Sequence, residues 1–105
     1  MGQREYPRVS LQAEVSIRHG DRDMRGMLAN LSLSGAYVRM ETPIPVGDSA
    51  EVCFRDMISH GEAAVKASGR VVRSDEEGTA FRLRQMDVDS FINLREIVAR
   101  RLATA

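Results

Sequence analysis

Leu11-Gln12-Ala13-Glu14-Val15-Ser16-Ile17-Arg18 alternates apolar and polar side chains without a break. Successive side chains of an extended chain point to opposite faces, so this stretch predicts a strand with one face in a core and the other in water. His19-Gly20-Asp21 follows with turn chemistry, and the same pattern repeats along the chain. Strands are predicted at residues 24–29 and 36–40, and at 50–55, where Ala50, Val52 and Phe54 alternate with Glu51, Cys53 and Arg55. A longer extended stretch covers residues 62–73, bent near Gly69, and a last strand covers 79–84 with Phe81 and Leu83 inward. Thr42-Pro43-Ile44-Pro45-Val46-Gly47-Asp48 is read as a loop, because two prolines so close together do not suit a central strand. Asp75-Glu76-Glu77-Gly78 is read as a solvated acidic turn.

After residue 86 the period changes. Phe91, Leu94, Ile97, Val98 and Leu102 recur at helical spacing, with Asp87, Asp89 and Ser90 at the start and Arg100 and Arg101 at the end. Carboxylates at a helix start and cations at its end both complement the backbone dipole. The fold class predicted is therefore mostly β, a six-stranded antiparallel β-barrel with a C-terminal α-helix sealing it. Closure of the sheet removes the exposed edges an open one would leave.

At 105 residues the chain has enough surface to bury for one core and not for two. The division expected is an N-terminal arm at residues 1–9 and the barrel with its helix at 10–105. Neither an apolar run long enough for a membrane span nor an apolar leader segment is visible, so no membrane insertion and no secretory signal are predicted. A single cysteine rules out an internal disulfide and suits a reducing compartment. Basic and acidic residues balance at 15 each, which argues against a generalised polyanion binder and makes nucleic acid an unlikely partner. Yet Lys66 is the only lysine among the basic residues. Arginine is the side chain for planar, two-pronged recognition of phosphates and guanine edges.

Enzymatic function is not expected. His19 and His60 lack partners at metal-ligand spacing, Cys53 reads as a small buried hydrophobe, and the glycines form no phosphate-binding loop. No metal and no cofactor are predicted. Two other segments carry the chemistry: Arg4-Glu5-Tyr6-Pro7-Arg8, with two arginines before the first strand, and Asn30-Leu31-Ser32-Leu33-Ser34-Gly35, a polar turn between two strands.

Together they resemble the PilZ-domain family, whose signatures are Arg-x-x-x-Arg and Asp/Asn-x-Ser-x-x-Gly. Arg4 and Arg8 match the first, and Asn30, Ser32 and Gly35 the second. The resemblance implies a six-stranded barrel with a C-terminal helix, and cyclic di-GMP, a bacterial intracellular second messenger, as ligand. It also implies a sensor or effector in the bacterial cytoplasm that changes its surface on binding to act on a protein partner. The alternative is a PilZ-like interaction adaptor without nucleotide binding. In the family, Arg4 and Arg8 would contact guanine and phosphate, Asn30 guanine, and Ser32 the phosphate region. Gly35 would supply either a positive φ or room for close backbone approach.

Overall fold

A computed structural model describes residues 6–58 and 61–104. The strands are β1 (Val9–His19), β2 (Arg22–Leu31), β3 (Gly35–Arg39), β4 (Ser49–Ile58), β5 (Gly61–Ser74) and β6 (Gly78–Met86), followed by the helix α1 (Val88–Thr104). They form a closed barrel in the order β1-β2-β3-β6-β5-β4. Every neighbouring pair is antiparallel, and β4 closes the ring by placing Phe54 opposite Val15 and Glu51 opposite Arg18. The predicted barrel and helix are thus both present. Val9 is the first residue of β1 and is buried, so its side chain belongs to the core.

Alternation explains most of the interior. Val15 and Ile17, Val52 and Phe54, Ala63, Val65 and Ala67, and Val38 and Phe81 all point inward at period two. Loop residues 40–48 carry the chain from β3 to β4, which are not neighbours in the ring. Ile44 enters the core from this loop, and its N–H donates to the buried Thr79 hydroxyl at 3.2 Å.

Irregularities mark where the barrel departs from simple alternation. Leu28 pairs with Val38 and Asn30 with Tyr37, leaving Ala29 as an extra residue on β2. An extra residue reverses which side chains face inward. Leu28 and Leu31 are both fully buried although three positions apart, and Asn30 is turned outward. Between β5 and β6 the register shifts twice, at Ser68/Gly69, where Arg84 is the extra residue on β6, and at Val71/Arg73, where Val72 is the extra residue on β5.

Asp87 caps α1, its carboxylate accepting the Ser90 N–H at 2.7 Å. The helix then covers β5 where β6 has run out. Ser90 Oγ accepts the Lys66 N–H at 3.0 Å, and Asn93 Nδ2 donates to the Ala64 carbonyl at 2.8 Å. Both backbone groups would otherwise belong to an unpaired edge. Leu94, Ile97 and Val98 are buried against the barrel, and Leu94 and Ile97 contribute roughly 1.5–3 kcal/mol each at full burial. Arg101 lies on the same side and forks onto Asp56 of β4 at 3.0 Å.

Two expectations are corrected here. Phe91 and Leu102 fall outside the buried stripe, at 41% and 43% exposed, because Ser90 and Arg101 occupy the flanking positions with polar contacts. Cys53 is half-buried rather than core, since its neighbours Val52 and Phe54 take the inward positions.

Candidate functional site

The Asn30–Gly35 motif spans the end of β2, a short turn, and the first residue of β3. Ser32 is buried, and its hydroxyl oxygen accepts the N–H groups of Ser34 at 3.2 Å and Gly35 at 3.1 Å. The Ser32 N–H in turn donates to the Gly35 carbonyl at 2.8 Å. Serine suits this local geometry, because a short polar side chain reaches back to two N–H groups of its own turn. Ser32 thus shapes the turn, and the turn positions its neighbours. The Leu83 N–H donates to the Ser34 carbonyl at 2.8 Å, tying the turn to β6.

Gly35 has no positive φ. Its requirement is space. A Cβ there would stand 3.1 Å from the Phe81 carbonyl oxygen, 3.7 Å from Arg8 Nη2 and 4.0 Å from Ser32 Oγ. The Arg8 guanidinium therefore lies directly over the Gly35 backbone. Its other terminal nitrogen, Nη1, donates to Asn30 Oδ1 at 2.5 Å.

Four of the five residues singled out from sequence, Arg8, Asn30, Ser32 and Gly35, thus converge on one patch of the outer barrel surface. The fifth, Arg4, lies outside the described residues. The converging set offers guanidinium donors from Arg8, an amide acceptor and donors from Asn30, and a glycine surface flat enough for a planar group to approach.

Sequence reading did not include Tyr37, the cross-strand partner of Asn30. The Tyr37 hydroxyl donates to Asp75 Oδ1 at 2.9 Å, and the Arg73 guanidinium lies 5.5 Å from the ring centroid. The same Asp75 oxygen accepts the Glu77 and Gly78 N–H groups. The acidic turn is therefore exposed but organised, held together by one carboxylate. The Glu77 N–H first, then the tyrosine hydroxyl and the Gly78 N–H, hold the Asp75 carboxyl below its ordinary value. Desolvation, followed by the bond to Asp75, raises the Tyr37 hydroxyl above its own. No residue signal would have found this pair, because the Asn30–Tyr37 register depends on the bulge at Ala29.

A groove of about 710 Å³ lies beside this patch, lined by Leu33, Lys66, Leu83, Met86 and Phe91 among others. It shares Leu33 with the motif turn but none of the four converging residues. Among the described residues, no three His, Cys, Asp or Glu side chains gather to hold a metal ion. No helix among them is long and apolar enough to cross a membrane.

The description of the PilZ domain matches residues 2–100, nearly the entire chain. The chain belongs to the PilZ domain family. Solved structures share the fold at low identity. The Bacillus subtilis inhibitor of motility matches with a TM-score of 0.81 at 18% identity, covering 98% of this chain but 53% of that one. The present chain thus spans about half the length of that protein. The PilZ domain of YcgR from Escherichia coli, solved with c-di-GMP, matches with a TM-score of 0.74 at 18% identity over 97% of this chain and 93% of that one. The PilZ domain of CeSA from a cellulose-synthesizing bacterium gives 0.66 at 19% identity, covering 90% and 96%. No curated protein matches the chain.

Proposed function

We propose that this PilZ domain binds cyclic di-GMP on the outer barrel surface and acts by presenting the altered surface to a protein partner. The observation that carries this reading is the Arg8 guanidinium lying over Gly35 and against Asn30. Arg4 joins Arg8 as the second guanidinium of the signature. Support comes also from the E. coli relative solved with c-di-GMP, which shares the fold.

The chemistry follows from the groups present. Guanine shows N7 and O6 acceptors on one edge, which an arginine fork meets in two-pronged fashion, and N1–H and N2–H donors on another. Arg8 supplies the fork and Asn30 Oδ1 accepts from the donors. Each currently satisfies the other, so ligand binding exchanges the Arg8–Asn30 bond for bonds from both residues to the nucleotide. Arg4 and Arg8 together balance the two phosphate charges through charge-assisted bonds. Ser32 acts through the turn it holds, and Gly35 acts by being absent as a side chain. The reading assigns no catalytic step. It places the domain in the bacterial cytoplasm, where this second messenger is made.

Isothermal titration of cyclic di-GMP tests it, with linear pGpG as control. Arg8→Ala should lose roughly 1–3 kcal/mol of binding with the melting curve preserved. Equal affinity in parent and variant rejects the clamp. A null titration of the parent favours the adaptor that works through protein contacts alone.

A further inference from the structure

The helix α1 is apolar on two sides. Leu94, Ile97 and Val98 are buried against the barrel, and the contacts of Ser90, Asn93 and Arg101 to β5 and β4 fix the rotation of the helix there. A second series is turned away from the barrel: Val88, Ile92, Arg95, Ala99 and Leu102, at alternating intervals of four and three residues. All five are exposed, Val88 at 72% and Ile92 at 41%, and none of the apolar four packs against the core. A surface helix that docks by one stripe ordinarily carries polar side chains opposite it. The spacing of this second series is that of a two-stranded coiled coil, with a seam residue about every 3.5 positions. Glu96 borders the series beside Arg95, and among the described residues neither forms an ion pair.

We propose that two copies of this chain pair through the outward face of α1, with the two helices parallel about a two-fold axis. Val88, Ile92, Ala99 and Leu102 each meet their own counterparts across the axis, and Arg95 of each chain meets Glu96 of the other.

Charge decides both the occupant and its orientation. In a parallel pair, the edge of one helix that carries Arg95 lies against the edge of the other that carries Glu96, so two opposite-charge pairs form across the axis. An antiparallel pair brings like edges together and sets Arg95 beside Arg95 and Glu96 beside Glu96. A partner of different sequence would have to supply both the apolar spacing and the matching charges, whereas a second copy already carries them. The Arg95 guanidinium lies 5.7 Å from the centroid of its own Phe91 ring. That contact uses the flat face of the group and leaves its N–H edges to donate to a carboxylate. The alkyl stem of Arg95 meanwhile fills the seam between Ile92 and Ala99. Ala99 adds no bulk, which permits the roughly 8–10 Å axial separation of packed helices. From Val88 to Leu102 the seam is about 21 Å long at 1.5 Å per residue. An interface of that length belongs to the small, transient class, with a dissociation constant on the order of 100 μM. The helix packs on β5, β4 and β1, whereas the Asn30–Gly35 turn joins β2 to β3, so pairing needs neither that turn nor a nucleotide.

Sedimentation equilibrium from about 10 μM to about 1 mM brackets that constant and reads the association directly. The average mass should rise from one chain toward two. Ile92→Glu should stay a single chain throughout, with a melting curve at the lowest concentration that matches the parent's. Arg95→Glu and Glu96→Arg should each weaken pairing by roughly tenfold, and the double variant should recover it to within about twofold. Only the parallel arrangement gives that rescue, because in the antiparallel one like charges still meet like. Val88→Cys and Leu102→Cys, each combined with Cys53→Ser to remove the native thiol, should both form intermolecular disulfides on mild oxidation. A parent that remains a single chain at about 1 mM assigns the stripe to a different protein and overturns the proposal. Pairing that Ile92→Glu leaves unchanged overturns it as well, since the contact then lies on another face. A double variant no tighter than the single ones, or cysteines that fail to cross-link at both ends of the seam, likewise overturns it.

Discussion

Arg8 and Asn30 hold each other, so the effect of removing either depends on what the other does next. Asn30→Ala leaves Arg8 its guanidinium but removes the acceptor proposed for guanine N–H groups. Its expected loss in cyclic di-GMP affinity is about 1–2 kcal/mol, smaller than the loss from Arg8→Ala, and titration of both variants checks the order. Asn30→Asp tests the same position with the opposite sign: a carboxylate accepts from both N1–H and N2–H where an amide offers one oxygen, so affinity should rise. Unchanged or weaker binding in Asn30→Asp would remove guanine from the list of groups Asn30 contacts. Gly78 is a different kind of residue, tolerated by nothing larger. A Cβ there would lie 2.2 Å from the Val38 carbonyl oxygen. Gly78→Ala therefore forces β3 and β6 apart and should lower stability by several kcal/mol, visible as loss of the cooperative melt. The pH dependence belongs to the same corner of the molecule. The Asp75 carboxyl is lowered by the N–H groups it accepts, so its contribution is present above the ordinary carboxylate value and lost as pH falls through the depressed one. Tyr37 is raised, so its contribution is present below the ordinary tyrosine value and lost as pH rises past the elevated one. The difference in melting temperature between the parent and Asp75→Asn should accordingly shrink at both extremes; a pH-independent difference would show that neither group's titration is coupled to folding.

At the scale of elements, the strands were legible because their inward faces repeat at period two, and the helix because Leu94, Ile97 and Val98 repeat at its own period. What stayed hidden depends on register. Nothing in Leu28-Ala29-Asn30-Leu31 announces that Ala29 is the extra residue, yet that bulge alone decides that Asn30 faces out and Leu31 in. The signature residues could be named from the family resemblance, but the meeting of Arg8, Asn30 and Ser32 at Gly35 depends on β2, β3 and the residues just before β1 being placed together. Phe91 looked like core for a related reason: helical spacing gives a face, and only the docking contacts of Ser90, Asn93 and Arg101 fix its rotation. The bidentate Asp56–Arg101 pair is the strongest of these, with the Asp56 side chain 12% and the Arg101 side chain 37% exposed. A double-mutant cycle with Asp56→Asn and Arg101→Gln should give a coupling energy of about 1 kcal/mol, above that of exposed pairs such as Arg25–Glu14. A coupling indistinguishable from zero would mean that the apolar stripe alone holds the helix.

For the molecule as a whole, closure has a thermodynamic consequence that an open sheet would not share. Every strand has a partner on each side, and α1 takes up the backbone groups of β5 beyond the end of β6. With the sheet closed on itself, the barrel should unfold as one unit, so stabilisation anywhere on it is felt everywhere. A ligand that binds the folded form alone stabilises it by RT ln(1 + [L]/Kd), about 2.7 kcal/mol at a hundredfold excess over Kd. For a domain of this size that corresponds to a rise in melting temperature on the order of 10 °C. Cyclic di-GMP should therefore shift a single, sharp transition upward, seen equally by far-ultraviolet circular dichroism and by tyrosine fluorescence. Arg8→Ala should melt where the parent does without nucleotide and shift far less with it, because the clamp is lost while the barrel is intact. Two transitions, with one moved by nucleotide and the other fixed, would show that the surface carrying Arg8 and Asn30 melts apart from the rest. The domain would then couple ligand to partner by local ordering rather than through a rigid barrel.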